Sequence, residues 1–96
     1  MAELLDDQSI DEALGRVHEW RREGDAIVRD FEFGTFAKAM AFVNAVAEAA
    51  EDLNHHPDIL VHEWNKVRLS VTNYSAGGLT EADFELAGMI DGLIAG

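Results

Sequence analysis

Cysteine is absent from the 96-residue chain, and proline occurs once, as Pro57. Without cysteine there is no disulfide framework and no thiolate metal centre, and a reducing cytoplasm is a permitted location. One proline leaves no Pro-rich linker or polyproline segment. Basic residues are scarce: 7 Lys and Arg stand against 19 Asp and Glu, a formal net charge of −12. Arg21 and Arg22 are the only adjacent basic pair. Binding to nucleic acid by counterion release needs clustered lysine and arginine, so no nucleic-acid partner and no anionic membrane surface is expected. Long hydrophobic runs are missing as well. No stretch of about 18 apolar residues occurs, so no transmembrane helix is expected. Met1 to Asp7 is acidic and lacks an apolar centre, unlike a secretory signal, and the expected location is cytoplasmic. The acidity itself reads as solubility or adaptation to salt.

What is present is ordinary for a globular protein. Hydrophobic residues make up 48% of the chain and charged residues 27%, with no internal repeat or low-complexity tract. The length predicts one domain, residues 1–96, with one small core.

The hydrophobic pattern changes period along the chain. Residues 9–19 read as a helix, with Ser9 and Glu12 spaced as a capping box and Ile10, Leu14, Val17 and Trp20 forming a stripe. Trp20 to Glu23 reads as extended, and Gly24-Asp25 as a turn. Residues 26–33 alternate, Ile27, Phe31 and Phe33 opposing Asp30 and Glu32, which predicts a half-buried strand. Thr35 is a plausible N-cap for a long helix over 36–53. The polar residues of that helix fall on a narrow line of Asn44, Glu48, Glu51 and Asp52, so it is expected to lie across a sheet as the principal core helix. Ile59–Trp64 and Lys66–Thr72 read as strands with a turn at Asn65-Lys66. Thr80 and Asp83 open a last helix in capping-box fashion, with Leu86, Ala87, Ile90, Leu93 and Ile94 as its buried stripe. The order α-β-β-α-β-β-α predicts an α+β fold, a four-stranded antiparallel sheet with three helices packed on one face.

The chemistry concentrates in Glu51-Asp52-Leu53-Asn54-His55-His56-Pro57-Asp58. Neighbouring side chains in a regular strand point to opposite faces. A bent helix-to-strand junction brings both imidazoles to one cleft, and Pro57 keeps His56 out of the α region. Imidazole exchanges protons near neutral pH, so general acid/base chemistry is the functional reading, against a solvated loop that happens to carry two histidines. Glu51 lies four residues before His55, but no HExxH or other spaced ligand pattern is present, and no metal is expected. Asp83 has two readings, a helix cap or a carboxylate lining a pocket. His18 and His62 read as surface or half-buried residues. Trp64 reads as packing or as a substrate platform. Gly77-Gly78 is a turn and not a phosphate loop, because no Lys follows it. No nucleophile motif such as GxSxG occurs.

Together these segments resemble the pterin-4a-carbinolamine dehydratase family. The resemblance runs from Trp20 to the last helix. It rests on Phe31-Glu32-Phe33, on Ala49 to Asp58 with its His-His-Pro, on Trp64-Asn65-Lys66-Val67, and on Ala76-Gly77-Gly78-Leu79-Thr80-Glu81-Ala82-Asp83 continuing to Ala87. It implies dehydration of 4a-hydroxytetrahydropterin to quinonoid dihydropterin, in the recycling of the pterin used by aromatic amino-acid hydroxylases, with no metal and no bound cofactor. It implies that His55 and His56 are the adjacent active-site histidines, that Glu51 and Asp83 are their acidic partners, and that Pro57, Trp64 and Tyr74 border the substrate. Trp64 stands where the family most often has Tyr. Tyr74 stands where the family has a third active-site histidine, six residues before Thr80. A phenol, with a pKa of about 10, is a poor base at neutral pH but can donate or accept a hydrogen bond.

The resemblance also implies a homodimer or homotetramer, and the apolar excess on residues 36–53 and 86–94 asks for cover. The competing reading is a non-catalytic relative that binds pterin or assembles other proteins. The Tyr74 departure favours that reading, and retention of Glu51, His55, His56 and Asp83 opposes it.

Overall fold

The computed structural model describes residues 3–95. The chain runs α1 (Asp7–Leu14), β1 (Arg21–Glu23), β2 (Ala26–Glu32), α2 (Phe36–Leu53), β3 (Asp58–His62), β4 (Lys66–Val71) and α3 (Glu81–Ala95). The predicted element order and the α+β class are both observed. The four strands form one antiparallel sheet in the order β1-β2-β4-β3. The central pairing joins β2 to β4, with Ile27 opposite Val71 and Phe31 opposite Val67.

Strand periodicity decides the faces. Ile27, Phe31, Val67, Leu69 and Val71 point into the core, where they meet Phe42 and Val46 of α2, and Leu86 and Ile90 of α3. Each fully buried Leu, Ile or Val contributes about 1.5–3 kcal/mol by leaving water. Phe42 lies 4.7 Å from Phe31 and 5.1 Å from Phe33, ring centre to ring centre, and so pins α2 to the sheet. The other face carries ion pairs in place of helices. Asp30 accepts from Arg68 at 2.7 Å and from Arg21 at 3.0 Å. The Arg68 hydrogen bond is the main reason that the Asp30 carboxyl lies below its ordinary value.

Several boundaries differ from the sequence reading, each for a local reason. α1 starts earlier and stops at Leu14, because Asp6 rather than Ser9 is its N-cap, accepting from the Ser9 N–H at 2.8 Å. Val17 and Trp20 follow the helix in a loop. β3 ends at His62, and the turn falls on Glu63 and Trp64, which both adopt left-handed φ (50° and 58°). Thr35 caps α2 as expected, accepting from the Lys38 N–H at 3.0 Å. Phe36, at its first turn, is exposed. Leu86, Ala87 and Ile90 of α3 are buried, but Leu93 and Ile94 are 43% and 41% exposed, so the stripe stops one turn short of the prediction.

One core residue goes against its chemistry. Arg29 shares the inner face of β2 and is buried. Its Nη1 donates to Asp91 at 2.7 Å, and its guanidinium lies 4.6 Å from the centre of the Phe31 ring. Asp91 also accepts from the Trp20 indole N–H and the His18 backbone N–H, both at 2.8 Å. One carboxylate thereby ties α3 to β2 and to the loop after α1. A cavity of about 620 Å³ adjoins this knot, lined by residues that include His18, Arg29 and Asp91. It does not include His55 or His56.

Candidate active site

The site is built where α2 ends. Asn54 takes the left-handed conformation (φ 51°, ψ 43°) as the C-cap of α2, and the His55 N–H reaches back to Ala50 O at 3.0 Å. Asparagine tolerates this conformation better than most residues. The chain therefore reverses at Asn54, earlier than the Pro57 position that the sequence suggested. Pro57 then leads His56 into β3.

This reversal carries the His55 ring under the start of α3. Its Nε2 lies 2.5 Å from Asp83 Oδ1, with the two side chains 15% and 0% exposed. The second oxygen of Asp83 accepts from the Thr80 N–H at 2.7 Å and from the Thr80 hydroxyl at 3.3 Å. Asp83 is thus a helix cap and a partner of histidine at once. A carboxylate only accepts hydrogen bonds, so His55 donates from Nε2, and Nδ1 becomes the acceptor of the neutral ring. His56 is more open. Its Nε2 lies 2.5 Å from Glu51 Oε2, and both side chains are exposed.

Two cavities that share four lining residues adjoin these rings. The smaller, about 200 Å³, is lined by His55, His56, Tyr74 and Thr72, together with Asn54, Asn73 and Ser75. The larger, about 740 Å³, shares Asn54, His55, Asn73 and Ser75 and extends to Ala76, Glu3 and Leu4. The loop that forms the far wall is closed on itself. Asn73 Oδ1 accepts from the Ala76 N–H at 3.0 Å, and Asn73 pairs with Gly78 across an isolated bridge. Gly77, at φ 81°, makes the turn that this closure needs.

Tyr74 is 72% exposed and donates its hydroxyl to Asp58. That bond pushes the phenol above its ordinary pKa. With its one proton committed to Asp58, the phenol oxygen can only accept a further hydrogen bond. Trp64 is not brought here. It sits in the β3–β4 turn at the other end of β3, 60% exposed, and lines neither cavity. Pro57 is half-buried and lines neither. Sequence reading named Asn54 and Asp58 only as members of the run around the histidines, and it missed Asn73, Ser75 and Glu3. Asn73 alone carried a usable signal, as a turn former before a Gly-Gly pair.

A family model described as pterin 4 alpha carbinolamine dehydratase matches residues 3–93. The chain belongs to this family. Among its pterin-4a-carbinolamine dehydratase relatives is one from Thermomicrobium roseum, provisionally named for that activity. It is 51% identical over 83 residues, covering 86% of this chain and 88% of the relative. The crystal structure of a transcriptional coactivator/pterin dehydratase from Brucella melitensis superposes with a TM-score of 0.88 at 32% identity, covering 98% of this chain and all of that one. A pterin dehydratase-like protein identified as a RuBisCO assembly factor in the alpha-carboxysome superposes at 0.66 with 29% identity, covering 79% of this chain and 89% of that one.

Proposed function

We propose that this protein dehydrates 4a-hydroxytetrahydropterin to quinonoid dihydropterin, as part of tetrahydropterin recycling. The observation that carries the reading is His55, oriented by a fully buried Asp83 and opening on a cavity that His56 shares. His55 Nδ1, as neutral base, takes the proton from the ring nitrogen next to the carbinol carbon. Protonated His56, seated on Glu51, gives a proton to the 4a-hydroxyl. The C–O bond breaks, water leaves, and the electron pair of the ring nitrogen closes the C=N bond. One proton is taken and one given, and solvent returns the balance from His55 to His56. Tyr74 accepts a hydrogen bond from the substrate and takes no proton. In this scheme Pro57 supports the junction from outside the cavity, and Trp64, at the far end of β3, takes no part.

The test sets turnover of synthetic 4a-hydroxytetrahydropterin beside a titration with an unreactive pterin. Turnover that is lost in His55→Ala supports catalysis. A second reading, a binding or assembly role, is favoured by Tyr74 at the third histidine position and by the description of the RuBisCO assembly factor. Pterin binding without turnover supports a sensing role, and neither binding nor turnover supports a protein-binding module.

The proposal includes cytoplasmic location and self-association as a homodimer or homotetramer. Phe36 (54% exposed), Leu60 (53%) and Trp64 (60%) are the apolar side chains that a second copy would cover. With net charge −12 per chain, association tightens as salt screens the repulsion. Sedimentation that finds only monomer at micromolar concentration in physiological salt contradicts it.

A further inference from the structure

The two cavities meet at His55 and differ in size, and the difference orients the substrate. Ligand cavities commonly measure about 300–1,000 Å³. The arm beside His56 and Tyr74, at about 200 Å³, falls below that range, and the arm that reaches Glu3, at about 740 Å³, falls within it. A bicyclic ring whose reacting carbon lies at His55 therefore extends its body into the larger arm.

The wall of that arm is tied to the site. The N–H of Leu5 donates to Leu79 O at 2.9 Å. Leu4 lies close enough to Gly78 that a β-carbon there would sit 3.1 Å from its side chain. The segment that carries Glu3 is thus anchored to the loop that leads into α3, the helix holding Asp83. Among the described residues lining the larger arm, Glu3 brings the one carboxylate, and the other polar side chains are Asn54, His55, Asn73 and Ser75.

A pterin's aminopyrimidine edge sets a ring N–H beside an amino group, two donors side by side. A carboxylate, with two parallel acceptor oxygens, matches that pair as no amide or hydroxyl does. We propose that Glu3 is a specificity-determining residue, whose carboxylate reads the ring N–H and 2-amino group of the pterin in the larger arm. This inference rests on the pterin reading proposed above and adds the end of the ring that faces each arm.

The test compares two unreactive ligands of the same oxidation level, 7,8-dihydropterin and the 7,8-dihydro form of lumazine, in which an oxygen replaces the 2-amino group. They are titrated into wild-type protein and into Glu3→Gln and Glu3→Asp. Wild type is expected to prefer dihydropterin. Glu3→Gln is expected to bind dihydropterin about tenfold more weakly or worse, the usual size for a hydrogen bond to a charged group. It is also expected to lose the preference over the dihydro form of lumazine, and Glu3→Asp to restore part of it. In turnover, Glu3→Gln raises KM and leaves kcat within about twofold, the pattern of uniform binding. Equal weakening of both ligands would make Glu3 mere wall, and unchanged binding of both would remove it from the site; either outcome overturns the inference. Wild-type protein that binds neither ligand overturns the pterin reading first, and this inference with it.

Discussion

His55 Nε2 and Asp83 Oδ1 lie 2.5 Å apart, although 28 residues separate them in the chain. The same carboxylate holds Thr80 at the mouth of α3. Any movement of α3 against the end of α2 is thus felt at the ring. Replacing Asp83 by Asn keeps one acceptor for Thr80 and turns an amide N–H toward Nε2. The ring must then carry its proton on Nδ1. The expected result is a switch of the His55 tautomer, visible in ¹⁵N NMR, and a fall in kcat of about 10²-fold or more, since a misplaced proton disables a base. An unchanged tautomer with unchanged kcat would separate Asp83 from the chemistry.

The two histidines are expected to differ. His55 is nearly buried and fixed by a buried partner, whereas His56 and Glu51 are both in solvent. Solvent can replace an exposed proton donor more readily than an oriented base. His55→Ala should lower kcat by about 10²–10⁴-fold, and His56→Ala by less, with far-UV circular dichroism unchanged in both. Wild-type rates in both variants would end the catalytic reading.

Tyr74 is the chain's single tyrosine, so its titration can be read directly from phenolate absorbance. The hydrogen bond to Asp58 raises its pKa. The folded state therefore holds the phenolic proton more tightly than the unfolded state. The stabilisation is present below the unfolded pKa and fades as pH rises through the folded one. Asp58→Asn should move the titration back toward the ordinary phenol value. A titration that does not move would show the pair to be absent in solution.

Asp91→Ala removes the acceptor shared by Arg29, Trp20 and His18. It leaves a guanidinium, 7% exposed, with only Glu19 at 3.5 Å as an ionic partner among the described residues. Breaking a buried pair from one side costs about 3–5 kcal/mol. Arg29→Met with Asp91→Asn, which removes both charges and keeps an acceptor for the Trp20 indole, should cost much less. Urea unfolding at neutral pH measures both, and equal losses would refute this account of the knot.

Much of this molecule was legible before its structure. The alternation of Val67, Leu69 and Val71 and the N-cap at Thr35 depend on neighbours in the chain, and both are found where the pattern put them. Trp64 was not legible in the same way. The left-handed backbone at Glu63 and Trp64 ends β3 early and leaves the indole away from the cavities. The early stop of the α3 stripe has a different origin, since a periodic pattern says which side of a helix is apolar but not how far the sheet beneath it extends. Arg29 was invisible as a core residue, because its burial depends on Asp91, 62 residues away.

By itself the amino-acid sequence determined the element order, the faces of the strands and the clustering of ionisable groups at the end of the long helix. These follow from local periodicity and from chemistry carried by adjacent residues. Only the tertiary structure decided that one oxygen of Asp83 caps a helix while the other meets His55, that Tyr74 gives its proton to Asp58, and that Glu3 shares a cavity wall with Asn73. Those relationships join distant segments, and the geometry of a contact between distant segments is set by how the whole core packs.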